Sequence, residues 1–102
     1  MKIEDVFKAT HPIRFWILME LLEEEPLYVA QLVKRLKKRG LEVDRKKISF
    51  HLSALEDYNL VKSELGLLER SESKRSAVAV RYFRLTPKAK QILSVLIELV
   101  SQ

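Results

Sequence analysis

"RKKISFHLSALEDYNLV", residues 45–61, is the stretch that decides how this chain folds. Ile48, Leu52 and Leu55 recur at helical spacing and define an inward stripe. Asp44 just before them is a good N-cap, and Asn59 just after them tolerates the left-handed conformation that stops a helix. With the stripe inward, about 100° per residue turns Lys46, Phe50 and Ser53 outward and sets Lys47 and Ser49 on opposite flanks. The helix opens on three cations, Arg45, Lys46 and Lys47. Cations in a first turn oppose the helix dipole at about 0.3–1 kcal/mol each, so a local cost argues for a functional reason against the alternative of a merely solvated face. His51 lies at the edge of the stripe. With His11 as the chain's other histidine, packing or hydrogen bonding is expected of it before metal ligation, and a groove or phosphate contact stays open.

Upstream, "LYVAQLVKRLKKRG" places Val29, Leu32, Val33 and Leu36 on one stripe and ends at Gly40, a natural left-handed stop. Its last turns carry Lys34, Arg35, Lys37, Lys38 and Arg39. These suit phosphate contacts, with Lys34, Lys38 and Arg39 the candidates, and they also complement a helix C-terminus. Earlier still, "HPIRFWILMELLEEE" starts on Pro12 and is apolar over more than one face, which predicts a helix buried on two sides. Ile3, Val6 and Phe7 mark a short first helix ending near Thr10.

Downstream the period shortens. Val78, Val80 and Tyr82 alternate with Ala79, Arg81 and Phe83, predicting a strand up to Leu85 with a partner starting around Leu60 to Leu65. The polar stretch between them becomes a hairpin tip that puts Arg70, Lys74 and Arg75 within reach of a DNA backbone or minor groove, a solubilising loop being the alternative. "TPKAKQILSVLIELVSQ" then opens with a Thr cap and a first-position Pro, and carries a broad apolar face including Ile92, Leu96, Leu99 and Val100.

The predicted architecture is mainly α with a β-hairpin: a winged helix-turn-helix of about five helices and a two-stranded wing, with residues 45–57 in the recognition position. Arg45, Lys46, Lys47, Ser49, Phe50, His51 and Ser53 are then the DNA-binding candidates. Arginine and lysine can donate to guanine or phosphate, serine can donate or accept, and Phe50 can touch a thymine methyl.

Composition is consistent with this. The 102 residues fit one domain, 1–102, and 47% hydrophobic content in so small a chain implies a tight core or a second apolar face for a partner. The net charge of +5 is polarised: residues 1–33 sum to −3, residues 34–63 to +5 and residues 64–102 to +3. The absence of cysteine excludes disulfides, thiolate metal sites and cysteine nucleophiles. Two glycines cannot build the usual phosphate cradle and no nucleophile set appears, so an enzyme is the least expected class and no cofactor is implied. "MKIEDVFKAT" has acids where a signal peptide would have its apolar core, so a cytoplasmic protein with no membrane partner is expected.

From about Val6 to Val100 the chain resembles the ArsR-type winged-helix transcriptional regulators. The resemblance rests on Pro12, Arg14, Ile17 and Leu18, on Ser49, His51, Leu52, Leu55, Leu60 and Val61, and on the wing exit "RYFRLTPKA". It implies a homodimeric regulator, a repressor by expectation, whose first and last helices pack across a two-fold axis through Ile3, Phe7, Phe15, Ile92, Leu96, Leu99 and Val100. The wide apolar faces of residues 13–22 and 92–100 support that independently, the alternative being that one monomer's core consumes both. "VAQLVKRL" lacks the cysteines of metal-sensing members and the last helix lacks their paired Asp and His ligands, so metal sensing at those sites is not expected, and no residue demands an effector. The alternative function is a winged-helix protein-interaction module, and RNA binding is a third, disfavoured by the lack of an evident aromatic platform.

Overall fold

The computed structural model describes residues 12–69 and 77–101. It is built as α1 (Pro12–Glu23), β1 (Leu27–Tyr28), α2 (Val29–Lys38), α3 (Arg45–Asp57), β2 (Val61–Glu69), β3 (Ala77–Leu85) and α4 (Pro87–Ser101). The expected first helix at residues 3–10 lies outside the described residues.

Helix α1 is the hub. Ile17, Leu18 and Leu21 are buried, while Ile13, Phe15, Trp16 and Met19 pack around them. The helix touches α2, α3, α4 and β3, which is why its sequence is apolar beyond a single stripe. Leu32 and Leu36 of α2, Ile48, Leu52 and Leu55 of α3, and Ala89, Ile92 and Leu93 of α4 complete one continuous core.

Helix ends follow the local chemistry. Asp44 Oδ1 accepts the Lys47 N–H at 2.7 Å and caps α3. Gly40 at φ 85 and Asn59 at φ 60 close α2 and α3 in the same way. In each, the next residue's N–H donates back across the last turn, Leu41 to the Leu36 carbonyl at 3.1 Å and Leu60 to the Leu55 carbonyl at 2.9 Å. Thr86 joins two elements: its hydroxyl donates to the Asn59 carbonyl at 2.7 Å and accepts the Ala89 N–H at 3.1 Å, so one side chain caps α4 and fixes the end of α3.

The sheet is antiparallel in the order β1-β3-β2. β2 is longer than the sequence predicts, running to Glu69, and pairs with β3 from Val61↔Leu85 to Glu69↔Ala77. The third strand is a departure, because Leu27 and Tyr28 read as the start of the next helix. They instead pair with Phe83 and Tyr82 along the open edge of β3, and Leu27 enters the core. Edge pairing across more than fifty residues leaves no local signal. Gly66 has a conformational reason of another kind: a Cβ there would lie 2.6 Å from the Tyr82 ring, which crosses the strand at that point.

Candidate nucleic-acid interface

Helix α3 presents its two faces as the spacing predicts. Ile48, Leu52 and Leu55 are buried, whereas Arg45, Lys46, Lys47, Ser49, Phe50 and Ser53 are exposed, Phe50 by 66%. Lys47 reaches back to the Glu42 carbonyl at 3.3 Å. Among the described residues, neither Arg45 nor Lys46 has a carboxylate partner. An exposed turn of three cations, two serines and a phenylalanine can donate to phosphates and guanine edges and touch a thymine methyl.

His51 must be set apart from that group. It is 8% exposed, and its Nδ1 accepts from the Arg14 Nε of α1 at 3.0 Å. The physical reason is angular: His51 is three residues beyond Ile48, 60° round the wheel from it, and so falls on the core side of the flank that faces α1. The Phe50 ring meets the imidazole edge to face, 5.4 Å between centroids.

The cations of α2 divide. Lys34 and Lys38 are exposed. Arg39, expected at a phosphate, is already engaged: its Nε donates to Glu20 Oε2, its Nη2 lies 3.7 Å from Glu23, and its guanidinium stacks 4.3 Å over the Trp16 ring. Arg35 bridges Glu20, at 3.1 Å, and Glu24. Glu20 is only 4% exposed, so two arginines neutralise a buried carboxylate and clamp α1 to α2. An acid set inside "ILMELL" was the available signal for this clamp.

Arg70, Lys74 and Arg75 lie outside the described residues. The described wing is tied to α3 by a polar chain that sequence reading did not find. Ser63 Oγ of β2 donates to Glu56 Oε2 of α3 at 2.7 Å and accepts from Arg81 Nη1 of β3 at 3.0 Å. Beyond that tie, Leu65 and Leu67 stand 71% exposed.

The residues expected at a dimer contact also separate. Ile92 is buried in the chain's own core, correcting its place on a free face, and Phe15 and Leu96 are half-buried against that core. Leu99 is 63% exposed, with Val95 and Ile97 also exposed on α4. Ile3, Phe7 and the Val100 side chain lie outside the described set. Among the described residues, no group of three or more His, Asp or Glu side chains is placed to hold a metal ion, and no helix is long and apolar enough to cross a membrane.

Among the described residues, four helices, one of them basic and in the recognition position, and a three-stranded antiparallel sheet define a winged helix-turn-helix protein. Solved structures share the fold. A PadR family transcription regulator from hypervirulent Clostridium difficile superposes with a TM-score of 0.67 at 22% identity, covering 84% of this chain and 83% of that one. Diamide-treated YodB from B. subtilis gives 0.70 at 15% identity over 99% and 90%. A transcriptional regulator homologue from Pyrococcus horikoshii gives 0.66 at 20% identity over 97% and 93%. No curated protein matches the chain. The sequence model of the arsR family of bacterial regulatory proteins matches residues 11–63, just over half of the sequence, and the chain belongs to that family. It is a DNA-binding transcriptional regulator.

Proposed function

We propose that this regulator acts as a single-domain homodimeric repressor in the cytoplasm, with the α3 helices of two protomers reading the half-sites of an inverted repeat. The carrying observation is the outward face of α3, where Arg45, Lys46, Ser49, Phe50 and Ser53 are exposed together, with Arg45 and Lys46 free of carboxylates among the described residues. Lys34 and Lys38 are exposed on α2, and phosphate contacts are assigned to them and to Arg70, Lys74 and Arg75, which lie outside the described residues. Leu99 and the half-buried Leu96 on α4 supply the apolar face for the second protomer. A two-fold axis through α4 sets the half-sites about one helical turn, roughly 34–36 Å, apart.

Selection from a random duplex pool across a salt series tests this. An enriched palindrome bound with a steep salt dependence is the expected outcome, and binding indifferent to salt would overturn the DNA reading. Leu65 and Leu67 give a specific reason to keep the second reading, a protein-interaction winged helix, since leucines so exposed gain nothing from phosphate. Loss of partner capture, with intact DNA binding, on replacing both by serine would assign the wing tip to that second role.

A further inference from the structure

Of the partly buried arginines, Arg35 is neutralised by Glu20 and Glu24, and Arg84 by Glu64 at 2.9 Å. Arg14 is the exception. Its hydrogen bond goes from Nε to a histidine, and among the described residues no carboxylate and no other acceptor meets its remaining N–H groups. A guanidinium carries five donors, so four stay available on the two Nη atoms. It also lies in the first turn of α1, where a cation opposes the helix dipole. A charge held half-buried against both local electrostatics and the usual need for a counter-charge is placed for an anion from outside the chain.

Its place in the fold says which anion. A helix in the major groove has a phosphate backbone on either side of it. One flank of α3 faces the wing through Glu56 and Ser63, and the opposite flank, bearing His51 one turn beyond Lys47, faces the first turn of α1. We infer that Arg14, outside the helix-turn-helix itself, contacts a DNA phosphate on the α1 side of the groove, and that His51 is the residue that positions it. The inference rests on the DNA-binding reading above. His51 accepts at Nδ1, which fixes its proton on Nε2 and orients the guanidinium through Nε, leaving the Nη edge for bidentate donation to phosphate. The imidazole in turn backs Phe50, so the phosphate contact and the groove face share one support.

The test is the salt dependence of binding to a mixed-sequence duplex by wild type, R14Q, R14K, H51N and H51L, each checked for folding by its thermal melt. One released counterion per protomer at a slope near 0.9 predicts that R14Q binds about eightfold more weakly per protomer at about 0.1 M salt, about sixtyfold for the dimer, with the slope reduced by about 0.9 per protomer. R14K keeps the slope and loses affinity, because the fork is gone. H51L weakens binding, H51N with its amide oxygen at the Nδ1 position restores it, and H51L adds little in the R14Q background. A folded R14Q whose slope matches wild type overturns the inference while leaving DNA binding intact. Should R14Q fail to fold, equal slopes and affinities for folded H51N, H51L and wild type overturn it. A wild type that binds no duplex in a salt-dependent way overturns the DNA reading and this inference together.

Discussion

The last turns of α2 and the first turn of α3 are both basic in sequence, and the structure uses them differently. Arg35 and Arg39 of the first group converge on Glu20, with Glu23 and Glu24 outside them and Trp16 beneath Arg39. Arg45 and Lys46 of the second form no ion pair among the described residues, and the Lys47 ammonium donates to a backbone carbonyl. Charge density therefore does not identify a binding face. What identifies it is a cation kept without a counter-charge, because a neutralised one has little field left to offer a phosphate.

Removing Glu20 is the sharpest way to break that comparison. Glu20→Ala removes the buried carboxylate shared by two partly buried guanidiniums, leaving them only the exposed Glu24 and Glu23, and weakens the α1–α2 clamp. We expect a loss of about 2–3 kcal/mol, below the full value for a deeply buried pair because both arginines are about a third exposed to water. Urea unfolding would show it as a lower midpoint at unchanged slope. A shift within about 0.5 kcal/mol would mean the clamp is decorative and that Arg39 is as free for phosphate as Lys46.

The opposite substitution belongs on α3. Lys46→Ala leaves stability within about 0.5 kcal/mol, since the side chain is exposed, yet lowers DNA affinity about tenfold and the salt slope by about one per protomer. Anisotropy titrations beside a melt measure both. Arg39→Ala should behave in reverse, losing stability while keeping the salt slope. If the two variants behave alike, the division between structural and binding cations fails.

How much of this was legible depends on range. The α3 helix was readable almost to the atom because its signals are local: Asp44 caps it, Ile48, Leu52 and Leu55 face in, and Asn59 ends it. Asp44→Ala should accordingly cost about 1 kcal/mol, visible in the same urea series, and a neutral result would say that tertiary packing alone holds the first turn. What escaped the sequence was non-local. β1 exists because β3 offers an open edge, Glu20 is tolerated because α2 brings two arginines to it, and Arg14 as the partner of His51 comes from another helix. Ile92 was assigned to a partner because periodicity finds an apolar face but cannot say which of two surfaces covers it.

Glu25 gives the smallest effect and a pH signature that separates it from the other clamp. Burial pushes its carboxyl up. The Leu85 N–H, donating at 2.9 Å, together with Lys90 at 3.2 Å and the more distant charge of Arg84, outweighs that and leaves the pKa below its ordinary value. A carboxyl lowered in the folded state stabilises the fold fully at pH above its unfolded value, and that contribution fades as pH falls through the folded value. The melting-temperature difference between wild type and Glu25→Gln should therefore be flat around neutral pH and shrink only in acid, below the usual carboxylate range. A difference that changes between neutral pH and mild alkali would overturn the assignment to the Glu25 carboxyl. Because Glu25 ties the α1–β1 connection to the junction of β3 and α4, which meets the C-terminal end of α3 and not its basic first turn, neither outcome should move the DNA salt slope. A slope that did move would mean the two ends of the core are coupled, and the contrast between clamped and bare cations would then have to be argued for the whole molecule rather than for two helices.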